Sequence, residues 1–583
     1  MNKKKVVKYS IYVVLTVGLI FCVAALFSQV RQMIIELTVR ILHHKNPENF
    51  YKMWFKPMQT YAMGGIFLFV FLGYCLLTAS GKTLVRELKN PLKEINWRSF
   101  IKPGLLMSGI YLLGIISIIR ANFLYEDDIG RSIDGNRSWY SMSRYVSEFL
   151  SIFIHADLRL TDISPLPQIL AILILAICSV LLVYILNDRK ITTVALLASV
   201  PVGLSPYMLQ CLSYKFDAPY MALSVLASIV PFLFLAHKKV FIFYSIVSLL
   251  VMCMTYQASS GIYLLITLVL CFSDWNRKLK TNREILLFLR RAAFSFCAAM
   301  LIFKIFLLIP YNVYVSTSML PFSRMFSGTL VNFTNYVNII YSDFGWIWKA
   351  LIGIILCFFI AKLVYNSARN KMISFTFAIV LLFLLFILSN GVYLLLDRPL
   401  LKPRALYGFG VLLGVIGIDI SFNFNKSAKI TALALSWCFL VFALSYGNAL
   451  SDQKRYANFR VGIILQDLSA LYPDKDENKI FVQLKNSIGY TPVVKNIAKH
   501  NPIIYKLVFQ MMIEEEPWSN YYYLEYFNYA SFSTANLKMN NGKSGEPFID
   551  YSTLNLPVVK KTYYHTIRSD GKRVLVELNE GIK

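Results

Sequence analysis

Charged residues are scarce in this sequence, and their scarcity excludes most classes of soluble protein. Only 16% of the 583 residues are Asp, Glu, Lys or Arg, whereas 57% are hydrophobic and the mean hydropathy is +0.54. The formal net charge of +27 lies mostly in short loops between apolar stretches, because residues 451–583 are nearly charge-balanced. This is the positive-inside pattern of membrane proteins and not the basic surface of a nucleic-acid-binding protein. We therefore predict an integral membrane protein that contacts the lipid bilayer and no nucleic acid.

Cysteine and histidine show no pattern that would hold a fold together or bind a metal. All nine cysteines lie in apolar stretches, so no disulfide framework is predicted for the polar C-terminal region. The six histidines are scattered without the spacing of metal ligands. Neither an internal repeat nor a low-complexity tract is visible.

Apolar stretches recur along the chain at lengths that suit transmembrane helices. About thirteen of them supply the roughly 20 apolar residues that a spanning helix needs. They lie near 9–30, 62–79, 104–119, 166–186, 194–211, 217–236, 240–256, 259–274, 286–310, 347–365, 375–396, 407–422 and 429–449. Residues 311–345 are predicted to form a long external loop, and residues 458–471 have the spacing of a separate helix. Basic loops such as Arg277 to Arg283 alternate with acidic or mixed loops such as Asp397 to Arg404. The positive-inside rule then places the N-terminus in the cytoplasm and the C-terminus outside.

The predicted fold class is an all-α polytopic membrane protein with a small C-terminal extracytoplasmic α/β domain. Residues 1–103 form an N-terminal two-span extension with a basic cytoplasmic loop. Residues 104–450 form the main transmembrane domain, whose first external loop covers 120–164. Residues 451–583 form the external domain.

Local patterns in the external domain predict individual elements. Ile480 to Leu484 alternates as a strand does, and Thr491-Pro492 has the composition of a helix start that leads to about Met512. Ser569-Asp570-Gly571-Lys572 lies between two β-type runs and indicates a hairpin.

Three consecutive carboxylates, Glu126, Asp127 and Asp128, follow the apolar stretch Gly104 to Ile119. Carboxylates are costly in hydrocarbon, so a membrane protein places such a cluster where water or a substrate reaches it. We predict that this cluster lies at the external mouth of the third span.

Polar residues after the cluster recur every three or four positions and predict one amphipathic helix on the membrane surface. The predicted polar face contains Arg137, Ser141, Arg144, Glu148, Ser151 and His155. The predicted apolar face contains Trp139, Met142, Val146, Phe149, Leu150 and Phe153. The alternative is a solvated loop followed by an ordinary interfacial helix.

A carboxylate beside cations at a membrane surface suits glycosyl transfer from a lipid-phosphate sugar. One Asp suffices as the base that takes the proton of the acceptor hydroxyl, and cations hold the departing phosphate. The loop before one of the last spans offers Arg398, Lys402 and Arg404. Arg404 is the first choice, because the arginine fork matches phosphate oxygens and a lysine is a point charge. The alternative is that these cations only anchor the loop at the membrane surface.

Several stretches resemble the glucosyl transferase GtrII family of bacterial and prophage enzymes that modify O-antigen. The acidic cluster followed by Arg131, Gly135, Trp139 and Arg144 resembles the family's Asp-Asp…Arg…Gly…Trp…Gly-Arg run, with Ser143 in place of the second glycine. Further similar stretches are Asp162 to Gln168, Tyr214 to Ser224 and Tyr256 to Ser259.

The resemblance covers roughly residues 100 to 580. It implies a GT-C-type architecture in the bacterial inner membrane. It also implies that the active site and the C-terminal domain lie on the periplasmic side. It implies undecaprenyl-phosphate glucose as the donor and an O-antigen glycan of lipopolysaccharide as the acceptor. The enzyme that makes this donor and the flippase that turns it over would be functional partners. Transfer would invert the anomeric centre and would need a base rather than a nucleophile.

Roles for individual residues follow from the position of the cluster and from the resemblance. Asp127 or Asp128 is the predicted base, and Glu126 is a supporting acid. The residues expected to position the acceptor or the carboxylates are Arg131, Trp139, Arg144 and Asp217. No cofactor is expected, although the acidic cluster could bind a divalent cation.

Two other functions remain open from the sequence. A transporter or flippase could share the spans and the acids, but it would more typically show broken or charged helices near the midplane and paired halves. A glycan polymerase or ligase would share the lipid-linked substrate while moving a whole oligosaccharide.

Overall fold

α-Helix dominates the computed structural model, and a small sheet lies near the C-terminus. The structure describes residues 3–41, 58–59, 62–66, 69–70, 72–309, 317–473, 481–515, 517–527 and 550–580. The chain forms two compact units, one made of residues 1–98, 234–241 and 304–307 and the other of the remaining residues from 99 onward.

The α-helices before residue 98 whose bounds lie within the described residues are Lys3–Ala24, Ser28–Ile41 and Ala79–Glu94. The predicted first span, Tyr9 to about Val30, is therefore shorter than expected, because the chain bends by 103° between the first two helices. Within the predicted second span, from Ala62 to Ala79, residues 62–66, 69–70 and 72–77 are helical, and residues 67, 68 and 71 lie outside the described ranges.

The second unit contains most of the helices. Those up to residue 388 are Arg98–Ala121, Asp128–Asp134, Tyr145–His155, Leu166–Leu186, Thr193–Ala198, Pro201–Leu204, Pro206–Ser213, Ala218–Ile229, Lys238–Cys253 (which starts in the first unit), Ser260–Asn276, Asn282–Ile302, Met325–Asp343, Trp346–Tyr365 and Lys371–Leu388. Those after residue 388 are Gly408–Ser421, Lys426–Leu471, Pro492–Ala498, Ile504–Leu507 and Pro517–Tyr526.

Seven helices in the described ranges are long and apolar enough to cross a membrane, or nine if each of two bent pairs is one span. The predicted count of about thirteen is not confirmed. The predicted span 194–211 is broken by Pro201 and Pro206, with a bend of 58°. The helix Gly408–Ser421 has only 14 residues and is almost wholly buried. Hydropathy alone does not separate such a buried core helix from a full span.

One helix of 19 residues, Met325–Asp343, lies where the sequence predicts a loop. Two of its polar residues, Asn332 and Tyr336, are buried and pair with neighbouring segments. The Tyr336 hydroxyl lies 2.7 Å from Ser389 Oγ, and the Asn332 amide donates to two backbone carbonyls at 2.9 and 3.0 Å.

The helix Lys426–Leu471 is continuous over 46 residues. The sequence predicts two elements here, a span at 429–449 and a separate helix from Asn458, with a domain boundary between them. The structure has no break at that boundary, and residues 451–583 belong to the same compact unit as the spans from residue 99 onward.

Gly447 of this long helix sets how closely it packs on the helix that ends at Ala121. A Cβ on Gly447 would come within 2.4 Å of the Ile118 nitrogen, so only glycine allows this approach. The contact brings the loop after Ala121 beside the long helix, where Lys454 Nζ donates to the Asn122 carbonyl at 2.7 Å. The loop that carries the acidic cluster is thus held at its start.

A four-stranded sheet forms the C-terminal part, with strands β1 Phe481–Lys485, β2 Val558–Lys561, β3 His565–Ser569 and β4 Arg573–Leu578. The strand order is β1-β4-β3-β2, with β1 parallel to β4 and the other pairs antiparallel. The predicted strand near residue 480 and the predicted hairpin are confirmed, and Gly571 has φ +94° in the hairpin turn.

Arg460 joins this sheet region to the distal half of the long helix. Its buried guanidinium donates to the carbonyls of Tyr564 at 2.6 Å and Asn579 at 2.9 Å. The predicted helix start at Thr491 is confirmed, since its hydroxyl accepts from the Val494 amide. That helix ends at Ala498 instead of Met512, because the chain turns before a proline at position 502.

Candidate active site

The segment after the acidic cluster forms three short helices, so the prediction of one amphipathic helix is wrong. The α-helix Asp128–Asp134 is followed by a 3₁₀ helix, Trp139–Met142, and then by the α-helix Tyr145–His155. Ser138 and Ser143 separate them with φ of +56° and +61°. A right-handed helix cannot continue through backbone in the left-handed region.

The last of these helices keeps the predicted amphipathic character. Its buried polar residues are Ser147, Glu148, Ser151 and His155. Phe149 and Phe153 are 55% and 66% exposed on the other side. Its outer face is therefore apolar, as a helix on a membrane surface requires. Trp139 departs from the predicted apolar face, because it is fully buried and hydrogen-bonded.

Glu126 lies at the centre of the first ionic cluster. Its Oε2 accepts from Arg404 Nη1 and from the Tyr214 hydroxyl, the latter at 2.7 Å. Lys402 Nζ lies 3.6 Å from the other carboxylate oxygen. Burial would raise the pKa of Glu126, but Arg404 and Lys402 hold that pKa below its ordinary value. Glu126 is therefore a charged anion held in place by its partners. Its backbone has φ of +40°, which is unusual for a residue other than glycine.

Asp217 lies at the centre of the second cluster. Trp139 Nε1 donates to its Oδ1 at 2.5 Å, and Arg131 Nη1 lies 3.0 Å from its Oδ2 as an ion pair. Arg144 Nη1 is farther away, at 4.0 Å from Oδ1. The Arg131 guanidinium also lies over the Trp139 ring, 4.1 Å from its centroid.

Asp128 has a structural set of contacts. It is completely buried, and its carboxylate accepts the backbone N–H of Tyr125 at 3.1 Å and that of Lys215 at 3.1 and 3.0 Å. Both oxygens are therefore occupied by the backbone, and they tie the acidic loop to the segment around Lys215.

Asp127 differs from its neighbours because its carboxylate makes no hydrogen bond or ion pair with any residue that the structure describes. It precedes the helix Asp128–Asp134 without capping it. Burial raises the pKa of Asp127 above its ordinary value, against the lowering effect of Arg131 and Arg404. Asp127 thus lies within the electrostatic reach of both clusters, with its oxygens available to a ligand.

The predicted phosphate-binding residues do not all lie together. Arg404 is buried, and besides Glu126 it contacts the Tyr214 hydroxyl. The Lys402 side chain is 44% exposed beside the same carboxylate. Arg398 is exposed and makes no contact with either ionic cluster among the described residues. The structure thus brings together all of the predicted site residues except Arg398.

Four residues around the site were not predicted: Gln210, Tyr214, Lys215 and Tyr256. Gln210 joins two parts of the site, because its amide donates to the Tyr125 hydroxyl at 2.8 Å and its oxygen accepts the Arg404 backbone N–H. The Arg144 guanidinium lies over the Tyr256 ring at 4.5 Å. Tyr214 to Asp217 stands in a stretch noted for its family resemblance, which was the available signal for Tyr214 and Lys215.

The C-terminal region reaches this site directly. The Tyr125 hydroxyl, next to the acidic cluster, donates to the Leu507 carbonyl at 2.7 Å, and the Tyr446 hydroxyl donates to the same carbonyl at 3.1 Å. Lys506 Nζ pairs with the buried Asp343 at 2.5 Å. The short helix Ile504–Leu507 is thus fixed against the loop that carries Asp127.

The arrangement suits a reaction that needs one base and several cations. Each ionic cluster holds one carboxylate and two cations, and in each the second cation is the looser partner: Lys402 at 3.6 Å and Arg144 at 4.0 Å. Arg144 Nε is buried and has no hydrogen bond to the described residues. In the same ranges, no three His, Cys, Asp or Glu residues converge as they would around a metal ion.

Comparisons with known proteins match the part of the chain that carries this site. The family model described as Glucosyl transferase GtrII matches residues 116–415, which is more than half of the chain. A protein of Salmonella phage P22, described as "Uncharacterized 55.3 kDa protein in gtrB 5'region", is 26% identical over 451 residues. Those residues cover 73% of this chain and 89% of the phage protein. No solved structure matches the chain.

Proposed function

This chain belongs to the GtrII glucosyl transferase family, and from that premise we propose that it transfers glucose from undecaprenyl-phosphate glucose to an O-antigen glycan. The proposed reaction takes place on the periplasmic side of the bacterial inner membrane, with the N-terminus in the cytoplasm. Seven to nine of the described helices are long and apolar enough to cross a membrane, which supports a membrane location. The donor synthase and the flippase would supply the substrate.

The proposed chemistry is a single displacement with inversion at the anomeric carbon. An acceptor hydroxyl oxygen forms the new bond to C1 of glucose while the bond from C1 to the phosphate oxygen breaks. Asp127 takes the hydroxyl proton, and the electron pair of the breaking bond stays on the polyprenyl phosphate. The phosphate gains one negative charge as Asp127 becomes neutral, so the surrounding cations then face a more anionic leaving group.

Lys402 and Arg144 are the proposed direct partners of that phosphate. Arg404 pairs with the same carboxylate as Lys402 and has a supporting role. Lys402 and Arg144 lie 3.6 and 4.0 Å from the carboxylates they pair with, so their N–H donors remain available to a phosphate. Arg144 Nε makes no hydrogen bond with the described residues. Arg404 is the residue that keeps Glu126 charged and in place. Interactions that strengthen as charge develops on the leaving group lower the barrier rather than only the donor KM.

The observation that carries the proposal is the availability of the Asp127 carboxylate between two fixed ion clusters. Glu126 and Asp217 are held by cations, and Asp128 is held by backbone amides. A base must reach the proton it removes, and Asp127 alone of these four has oxygens that no described residue occupies.

The test is the glucose content of the surface glycan in cells that contain the donor synthase and the flippase. Cells with the unmodified chain should add glucose, and cells with Asp127→Asn should add about 10²–10⁴ times less, although the variant protein reaches the membrane in equal amount. Asp134→Asn is the matched control, because Asp134 is exposed at the end of the helix that begins directly after Asp127. Equal glucose content with and without the unmodified chain would refute the proposal.

A further inference from the structure

A cavity of about 440 Å³ lies beside the acidic loop and shares no lining residue with the two ionic clusters. Its walls come from the ends of the helices Arg98–Ala121, Leu166–Leu186 and Pro206–Ser213, and from Leu450 of the long helix. The volume is in the range of small-molecule sites in proteins.

Lys215 connects this cavity to the acidic cluster. Its backbone N–H binds the Asp128 carboxylate, next to Asp127, while its side chain lines the cavity. Lys215 Nζ lies 2.7 Å from Asp162 Oδ2 and 2.5 Å from Asn122 Oδ1. The cation is therefore already neutralised, so the cavity is polar without being a site for an anion.

Gln168 supplies the feature that calls for a ligand. It is only 4% exposed, it lines the cavity, and its side-chain amide makes no hydrogen bond with any described residue. A buried amide without a partner costs free energy unless a ligand bonds to it. A lipid tail would leave this amide unpaired, whereas a hydroxyl group can donate to an amide and accept from one.

Apolar side chains complete the cavity. Ile118 and Phe123 line it together with the polar groups of Asn122, Asp162 and Gln168. A neutral sugar offers hydroxyl donors and acceptors around its edge and C–H groups on its faces, so it matches both kinds of wall.

We propose that this cavity binds a neutral sugar unit of the glycan acceptor, adjacent to the unit that receives glucose. This inference rests on the proposed function for the identity of the acceptor. Under this proposal the acceptor binds on the Lys215 side of the acidic loop, and the donor phosphate binds at the two ionic clusters.

The test measures binding of lipid-free O-polysaccharide from the source strain to the purified full chain in lipid nanodiscs. Gln168→Met removes the side-chain amide while keeping an unbranched side chain of similar length. We expect binding to weaken about fivefold or more, which corresponds to one net hydrogen bond. In transfer assays the KM for the polysaccharide should rise by a similar factor, while the KM for the donor should stay the same.

Asn187→Leu is the matched control. Asn187 is 1% exposed at the other end of the same helix, and neither atom of its amide makes a hydrogen bond to the described residues. It lies outside the cavity, so its replacement should leave polysaccharide binding unchanged. Each variant replaces an unpaired buried amide by an apolar group, so we expect both variants to fold. Their thermal midpoints test this expectation.

The outcomes separate this inference from the proposed function. Equal binding by Gln168→Met and the unmodified chain, or no binding by the unmodified chain, would overturn the acceptor site. Binding that depends on Gln168, in a chain that transfers no glucose, would support the acceptor site and refute the proposed donor chemistry.

Discussion

Asp127→Asn and Asp128→Asn should fail in different ways, although the two residues are adjacent and chemically identical. The Asp128 carboxylate accepts backbone N–H groups with both oxygens inside the protein, at 3.0 to 3.1 Å. In the Asn variant an NH₂ group replaces one of those oxygens and faces an N–H donor. The Asp127 carboxylate has no such partners among the described residues, so its replacement leaves no buried donor unpaired.

The magnitudes follow from these contacts. A buried N–H donor that loses its acceptor costs about 1–3 kcal/mol, so Asp128→Asn should lower the free energy of unfolding by about that amount. Asp127→Asn should not lower the free energy of unfolding, but it should raise the barrier to transfer by about 3–5 kcal/mol, which is a 10²–10⁴-fold loss of rate.

The assay pairs thermal unfolding of each purified variant in detergent with glucose transfer from undecaprenyl-phosphate glucose. Asp134→Asn serves as the reference for both measurements, because it makes the same chemical change at an exposed position. The reasoning is refuted if Asp127→Asn transfers glucose at the full rate, or if Asp128→Asn is as stable as the unmodified chain and only Asp128→Asn is inactive.

Further predictions concern donor recognition, pH and topology. Arg404→Ala should strongly lower glucose transfer at limiting donor, because a cation beside Glu126 is needed. Arg404→Lys should partly restore it. Equal activity of Arg404→Ala and the unmodified chain would contradict this. The ratio kcat/KM should rise with pH through the raised pKa of Asp127, since only the ionised carboxylate accepts a proton. A profile in which kcat/KM does not fall at acidic pH would exclude Asp127 as the base. Reporter fusions within residues 451–583 and at Arg277 to Arg283 should give opposite signals, and identical signals would remove the proposed topology.

Contiguous features of the fold could be predicted from the sequence. The span 166–186 was expected from its apolar run and is the helix Leu166–Leu186. The hairpin at Ser569 to Lys572 was expected because its turn residues are local signals. The helix Met325–Asp343 was missed because its asparagines and threonines lower its hydropathy, and Asn332 is satisfied by a distant partner, the Leu394 carbonyl.

The division of roles among the three acidic residues could not be predicted. Asp128 differs from Asp127 because of the backbone of Lys215, which is 87 residues away. Glu126 is held by Arg404, which is 278 residues away. All the predicted site residues except Arg398 lie together, but their pairings over such separations depend on how the helices pack. The same applies to Ser143, whose φ of +61° divides the predicted amphipathic helix.

The continuity of the helix Lys426–Leu471 has a mechanical consequence. At 1.5 Å per residue it is about 70 Å long, whereas the hydrocarbon layer of a bilayer is about 30 Å thick. In the proposed topology, the part of this helix beyond the bilayer is therefore a lever of about 40 Å, and Arg460 fixes the sheet region to it. A change in tilt of about 10° would displace the far end by about 7 Å. Bilayer thickness, which sets helix tilt, would in this way adjust the position of the sheet region relative to the membrane surface.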